Sequence, residues 1–354
     1  MLFTDISNFK SFIGGAANVS LELESIKPTI EETAYNHIIP FIGEELWDDA
    51  LTKFDAGSSD TNHIKLLPYI QKPLAMLSLY EYSKIGNIMM GEGGMFRMES
   101  DSMKTPYKYQ ENQYREVHLF QGYEALERLQ KFLDKNADTY PLYTGSDAYA
   151  TRKALLINYA TEFRKYYSFS INRYTFEQIL SVIEDVQYFA ILPTLGQEQF
   201  AKLLEGNLNA KEKELLELCR KAIVHFTIQE SLVRMWVRLE GNRIVQNESS
   251  GDQAYQTKLN ASLEATGLLA TKEQLKADRY IYSITEFLQN NLDQFELYKA
   301  HIEALATAEQ ERQEATQNER CESTINWFSG YGRGRCCSNY PTCDHTEGKA
   351  IKRL

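Results

Sequence analysis

A stretch of 22 residues occurs twice in this chain in recognisably the same form, and this repetition constrains the fold more than any other feature. The segment IEETAYNHIIPFIGEELWDDAL, residues 30–51, aligns without gaps on IEDVQYFAILPTLGQEQFAKLL, residues 183–204. Eight of the 22 aligned positions are identical, whereas unrelated segments would share roughly one or two. We therefore expect two similar modules in tandem.

Further matches follow in the same order. Residues 65–81 pair with residues 214–230, and the later matches are Phe132/Phe287, Leu133/Leu288, Asn136/Asn291, Asp138/Asp293, Leu142/Leu297 and Tyr143/Tyr298. The spacing changes only through residues 55–63 and 205–213, as expected where insertions fall in surface loops. The predicted duplication therefore covers about residues 20–143 and about residues 174–298.

Each module is predicted to be helical with one short irregular insert. Apolar residues recur at helical spacing before Pro40 and Gly43, which end that helix, and Pro193 and Gly196 repeat the signal. Long helices are predicted over residues 62–84 and 107–135, and again over 210–239 and 272–290. Between the long helices, glycines at 91–94 indicate a β-hairpin over residues 88–98, and residues 243–251 offer a weaker version.

The chain is thus predicted to be mainly α, with two tandem duplicated helical modules, each with a short β-hairpin insert, plus an extended C-terminal tail. The first module, with an N-terminal arm, spans residues 1–145. The second spans residues 146–300 and begins with a helix over 146–167, capped by Ser146 and Asp147. Residues 301–354 complete a polar helix predicted over 299–320 and continue as a tail without apolar periodicity.

Composition and charge exclude several classes of protein. A net charge of -11 argues against a general grip on nucleic acid, which needs clustered Lys and Arg, so DNA near this protein is expected to pass without sequence-specific binding. No stretch approaches the roughly 20 apolar residues of a membrane span, and the N-terminal residues do not form a secretory signal. An odd number of cysteines, five, predicts no disulfide framework and a reducing cytoplasm.

No residue pattern indicates catalysis or a cofactor. Adjacent acids such as Glu31 and Glu32 diverge around a helix, which predicts solvated surface. His37 and His225 lie on apolar helix faces without His or Glu at i+3 or i+4, which predicts core or boundary positions. Walker, dinucleotide, G-x-S-x-G and H-E-x-x-H motifs are absent from the sequence. We predict no enzymatic activity, no catalytic residues, no cofactor and no metal.

The C-terminal tail contains a small cluster of potential metal ligands, Cys336, Cys337, Cys343 and His345. Their spacing lacks the paired C-x2-C pattern of zinc sites, and adjacent cysteines seldom bind one ion together. A reduced tail without metal is favoured, and zinc stays an open alternative.

Two candidate interfaces stand out. Residues 327–354 carry a net charge of +3 on an otherwise acidic chain, and aromatic and Arg side chains are the usual anchors of interfaces. The tail is therefore predicted to dock on an acidic surface of a partner, which includes a neighbouring copy of the chain, through Trp327, Phe328, Tyr331, Arg333 and Arg335; a solvated disordered tail is the alternative. The second candidate is the first hairpin, with Gly91, Gly93, Gly94 and Phe96.

The motifs of residues 30–51, with Tyr35, Pro40 and Gly43, and of residues 66–80, LLPYIQKPLAMLSLY, resemble an uncharacterised protein family common in Bacteroides genomes and their phages. Its members look like the helical head-to-tail connector, or adaptor, proteins that stack as rings below the portal of tailed bacteriophages, and the ring proteins of crAss-like phages are similar. The resemblance covers about residues 20–143, recurs at about 174–298 and excludes the tail.

This resemblance implies a structural virion protein, assembled in the host cytoplasm, that forms a dodecameric ring in the phage neck. The implied partners are other copies of the chain, the portal protein, adjacent ring or tail proteins, and DNA passing through the channel, with no membrane. A tandem duplication departs from single-module adaptors and leaves open which module faces the channel. The alternatives are a soluble helical scaffold or binding protein of bacterial origin, and a helical enzyme with an unrecognised site.

Overall fold

The computed structural model describes residues 1–14, 21–86, 88–91, 94–97, 107–167, 171–240, 243–246 and 263–329. Helices dominate these residues, so the prediction of a mainly α fold is confirmed. The chain divides into two compact units, Met1–Tyr298 and Lys299–Leu354. The boundary predicted between residues 145 and 146 falls within the first unit and stays a prediction.

The first half of the first unit contains seven helices and two short strands: α1 Ile6–Ile13, α2 Leu23–Thr33, α3 Ile39–Ile42, α4 Glu44–Asp55, α5 Thr61–Ile85, β1 Ile88–Gly91, β2 Gly94–Arg97, α6 Lys108–Lys135 and α7 Pro141–Thr144. A π-helical turn, Ala34–Ile38, joins α2 to α3, and a 3-10 turn, Ala137–Thr139, follows α6.

The rest of the described chain comprises α8 Asp147–Lys153, α9 Ala160–Tyr166, α10 Arg173–Val186, α11 Leu192–Leu195, α12 Gln197–Glu205, α13 Ala210–Trp236, β3 Val237–Glu240, β4 Arg243–Gln246, α14 Leu263–Asn290 and α15 Glu296–Ser329. A π-helical turn, Gln187–Ile191, follows α10, and a 3-10 turn, Leu292–Gln294, follows α14. From α9 onward, the order of elements repeats the order that begins at α1.

Each half is built on two long antiparallel helices. Between α5 and α6, Arg115 donates to the carbonyl of Ser83 at 2.8 Å, whereas Tyr69 stacks on Phe132 further along the pair. Between α13 and α14, the Nδ1 of His225 lies 2.5 Å from a carboxylate oxygen of Glu273. Helices α1 and α2 pack on α5, and α9 and α10 pack on α13 in the same way.

In both halves a π-helical turn accommodates a proline within a continuing helix. Proline has no N–H, and its ring clashes with the carbonyl four residues earlier in an ordinary α-helix. One residue before Pro40, the N–H of Ile39 donates to the carbonyl of Ala34, five residues back, and Leu192 does the same to Gln187 before Pro193. The helix therefore passes through the proline instead of ending there, and it ends at the glycine that follows.

Gly43 and Gly196 take positive φ angles of 90° and 80°, a region of backbone conformation that other residues rarely adopt. The prediction that this motif ends a helix is thus right for the glycine and wrong for the proline. In both halves the next helix, α4 or α12, starts directly after the glycine.

The predicted helix over residues 146–167 is wrong. Ser146 caps α8 by accepting from the N–H of Tyr149, but α8 ends at Lys153 and α9 starts at Ala160. Between them, the N–H of Leu156 donates to the side chain of Gln187, and the Leu156 carbonyl accepts from Arg220 at 2.8 Å. Because distant side chains satisfy this backbone, the segment remains non-helical while its apolar side chains are buried.

Three other predicted boundaries also need correction. Helix α14 begins at Leu263 instead of residue 272, and the polar helix α15 runs from Glu296 to Ser329. The helix predicted to reach residue 239 ends at Trp236, where β3 begins and pairs antiparallel with β4. In the first half, β1 pairs antiparallel with β2. Residues 92–93 and 241–242, between the paired strands, lie outside the described residues.

Among the described helices, none alone has both the length and the apolar composition of a membrane span. The bent pair Arg173–Leu195 and Gln197–Glu205, which meet at 115°, satisfies both criteria only when taken together.

Candidate functional site: the covered face of α6 and the exposed face of α14

The two halves meet where α6 lies against the start of the second half. Glu127 of α6 is 1% exposed. One of its carboxylate oxygens accepts hydrogen bonds from Lys131 at 2.7 Å and from the hydroxyl of Thr161 at 2.6 Å, and the other lies 4.0 Å from the guanidinium of Arg173. Burial raises the pKa of Glu127, but these hydrogen bonds and positive charges outweigh it and leave the pKa below its ordinary value.

Arg173, the first residue of α10, is fully buried at this junction. Its guanidinium forms an ion pair with Glu177 one turn later, and its backbone N–H lies 3.4 Å from the carboxylate of Glu124 on α6. The next residue, Tyr174, contacts the rings of Phe120 and Tyr123 on α6. Acids on α6 therefore meet an arginine of the second half, and an aromatic contact lies beside them.

A second polar group extends the junction. The hydroxyls of Tyr143 and Tyr159 donate to the two carboxylate oxygens of Asp134 at 2.9 and 2.5 Å. Burial, together with the charge of Asp134, raises the pKa of both tyrosines. Arg152 and Asp134 also line a polar cavity of about 80 Å³. Ligand pockets usually measure about 300–1,000 Å³, so this space suits water molecules better than a metabolite.

Helix α14 occupies in the second half the place that α6 occupies in the first. The sequence alignment pairs Gly122, Leu129 and Leu133 of α6 with Ala277, Ile284 and Leu288 of α14, and all six residues are buried. The face toward the long partner helix is therefore the same in both halves.

The opposite face of α14 is exposed. It carries Leu268, Leu275 and Tyr282, which are 58%, 54% and 69% exposed and recur every seven residues along the helix. In the alignment Tyr282 corresponds to Glu127, which is buried at the junction. Large apolar side chains at this spacing lie on one stripe of a helix, which is the pattern of a helix that packs against another. We call this stripe, with the adjacent Lys272 and Arg279, the outer face of α14.

Charges of both signs lie beside the stripe, with cations beside its centre and acids toward its two ends. Lys272 and Arg279, each four residues after a stripe leucine, are exposed. The exposed acids are Glu264, four residues before Leu268, Glu286, four residues after Tyr282, and Asp278, which accepts a hydrogen bond from Gln274 at 3.1 Å.

The start of the chain presents an acidic edge. Asp5, Glu22 and Glu24, at the beginnings of α1 and α2, are exposed. Leu21 beside them is half-buried. We call these four residues the acidic edge of α1–α2. Further along, the π-helical turns expose aromatic rings in both halves, Tyr35 in the first and Tyr188 with Phe189 in the second.

Sequence spacing did not reveal the partner of His225, because the partner lies on a different helix. His225 is buried, as predicted, and its ring stacks on Tyr280 in addition to its contact with Glu273. Burial raises the pKa of Glu273, but hydrogen bonds from Lys276 and His225 leave it below the ordinary value. His37 is partly buried and lies 3.7 Å from a carboxylate oxygen of Glu81.

The predicted interface residues fall into two sets. Gly91, Gly94 and Phe96 lie in β1 and β2, and Trp327 and Phe328 lie in the last helical turns of α15. Gly93, Tyr331, Arg333, Arg335 and the cluster Cys336, Cys337, Cys343 and His345 lie outside the described residues. Within the described ranges, no group of three or more His, Cys, Asp or Glu side chains is arranged to hold a metal ion.

Comparison with known proteins identifies a family through both halves of the chain. Residues 26–153 and 191–304 match a protein family described as a family of unknown function (DUF6712). No curated protein matches the chain, and no solved structure does. Because the two matched stretches together span more than half of the chain, the protein belongs to the DUF6712 family.

Proposed function

We propose that this protein is a structural component of the neck of a tailed bacteriophage, where copies of the chain form a ring around the DNA channel and join the head to the tail. The outer face of α14 is the observation that carries this proposal. A helix with one face in the core and a second apolar stripe exposed to solvent has a surface suited to binding another protein. In a ring of identical subunits, that protein is another copy of the same chain.

Other features agree with a role in assembly. The order of elements repeats along the chain, and the family match falls in each half, which supports a tandem duplication of one module. Each half is built on a pair of long helices that pack against each other. The net charge of -11 suits a channel wall that repels moving DNA. The proposed neighbours are the portal protein on one side and another ring or tail protein on the other.

Electron microscopy of the purified chain, together with immunogold labelling of phage particles that encode it, tests this function. We expect closed rings from the purified chain and label at the junction of head and tail. Particles that contain no copy of the protein would contradict the proposal and would favour a scaffold or binding protein made by a bacterium.

A further inference from the structure

We propose that the outer face of α14 binds the acidic edge of α1–α2 on a neighbouring copy, so that the contact joining the two halves within one chain is repeated between chains. The inference rests on the proposed ring function for its biological setting and specifies which surfaces form the ring contact.

The junction inside the chain provides the template. Helices α9 and α10 pack on α13 as α1 and α2 pack on α5. Helix α10 has a further edge, formed by Arg173 and Tyr174, and this edge lies on α6. The corresponding edge at the start of α2 is exposed at Glu24, which the alignment pairs with Glu177. Among the described residues, nothing covers the outer face of α14 or the acidic edge, so one chain presents a copy of each side of the junction.

The aligned positions of α6 and α14 show which contact of α6 has no counterpart on α14 among the described residues. Phe120 of α6 lies beneath Tyr174, with ring centroids 6.3 Å apart, and the alignment pairs Phe120 with the exposed Leu275. Within the part of the chain that the structure describes, no side chain covers Leu275 as Tyr174 covers Phe120. Leu21 of a neighbouring copy, at the position aligned with Tyr174, is an apolar residue suited to that place.

Around Leu275 the charges of the two surfaces are complementary, and their polarity is the reverse of that in the inner junction. Within the chain, Glu124 and Glu127 on α6 meet Arg164 and Arg173 of the second half. Between chains, Lys272 and Arg279 on α14 would meet Asp5, Glu22 and Glu24. Opposite polarity means that neither helix face attracts the other's partner, which is how interfaces achieve specificity as well as affinity.

A contact between two different surfaces is heterologous, and copies joined in this way form a closed ring when the rotation between them is right.

Full-length variants test this contact. In Leu275→Asp, a charge replaces the centre of the apolar stripe, and in Arg279→Glu the charge is reversed; we expect each change to weaken self-association by about tenfold or more. Glu24→Lys should weaken it as well, and combining Glu24→Lys with Arg279→Glu should recover a large part of the loss. Lys135→Glu, at an exposed cation at the end of α6, is the control and should leave association unchanged. Sedimentation and native mass spectrometry measure the association, with a chain mass of 40.8 kDa as reference.

The outcomes separate this inference from the proposed function. Rings that persist in Leu275→Asp and Arg279→Glu would overturn the contact and leave the neck protein intact as a proposal. If these variants lose self-association but phage particles contain no copy of the protein, the contact would stand and the proposed function would be overturned. Sensitivity to Arg279→Glu without recovery in the double variant would overturn Glu24 as the partner.

Discussion

The outer faces of α6 and α14 differ in their side chains, in their charges and in whether other described residues of the chain cover them. Both helices bury the same inner positions against a long partner helix. On α6, the face aligned with the stripe carries Glu127 and Phe120 and is covered by α9 and α10, whereas on α14 it carries Tyr282 and Leu275 and is exposed. The comparison shows that equivalent helix faces in the two halves can carry different side chains, and that the apolar one is the one that no described residue covers.

The largest expected difference between the two faces concerns their arginines. Arg173→Ala should lower the free energy of unfolding by about 3–5 kcal/mol, because it removes a fully buried side chain that pairs with Glu177 and lies 4.0 Å from the buried carboxylate of Glu127. Arg279→Ala, on the exposed face, should change it by no more than about 0.5 kcal/mol. Urea unfolding of dilute, dissociated protein measures both. Equal effects would mean that the junction does not stabilise the chain.

Replacing the aligned tyrosines Tyr143 and Tyr298 should give a smaller difference in unfolding free energy. Tyr143→Phe removes a hydroxyl that donates to Asp134 at 2.9 Å and should cost about 1.5–3 kcal/mol. Tyr298 is the aligned residue, and the position aligned with Asp134 holds the neutral Gln289. Tyr298→Phe should therefore cost less than about 1 kcal/mol. A larger loss from Tyr298→Phe than from Tyr143→Phe would show that Asp134 does not anchor the junction.

The pH dependence of stability should distinguish the two faces in the acid range. The pKa of Glu127 lies below its ordinary value of 4.5 in the folded chain. Its stabilising contribution is therefore complete above about pH 4.5 and is lost as the pH falls through the folded pKa. Asp5 and Asp60 also have lowered pKa values, so the informative quantity is the difference between wild type and Glu127→Gln. We expect the variant to lose less stability between pH 5 and pH 3, and parallel curves would contradict this assignment.

The smallest effect on stability is expected for the apolar stripe of α14. Leu275→Ala should change the unfolding free energy of dissociated protein by at most about 0.5 kcal/mol, because the side chain is largely solvated in the single chain. Thermal unfolding at low and high protein concentration measures this. A cost of several kcal/mol in dilute protein would mean that Leu275 belongs to the core of its own chain.

Local patterns in the sequence predicted much of this architecture. The long helices α5 and α6 begin and end within about one residue of their predicted bounds, because their apolar residues recur at helical spacing over many turns. The same reasoning fails between α8 and α9. There the apolar residues suit a helix, and only the distant side chains of Gln187 and Arg220 make the non-helical backbone favourable.

The candidate site was harder to predict for the same reason. Leu268, Leu275 and Tyr282 repeat at a spacing that, in a sequence, is indistinguishable from that of core residues. Only the position of α13 shows that they point away from the core. The contact between His225 and Glu273 likewise joins residues on separate helices, which no local spacing reveals. Pairing across helices requires tertiary structure, whereas periodicity along one helix does not.

Helix α15 contains 34 residues, of which residues 303–316 are exposed on every side. At about 1.5 Å per residue it measures about 51 Å from end to end, so it sets a fixed distance between its two ends. It also sets an angle, since each residue turns the helix by about 100°. An insertion of about seven residues would lengthen it by about 10 Å and nearly preserve the direction in which the following chain leaves, whereas an insertion of about two would point that chain to the opposite side. The length of α15 therefore determines both how far from Glu296 the following tail begins and the direction in which it leaves the helix.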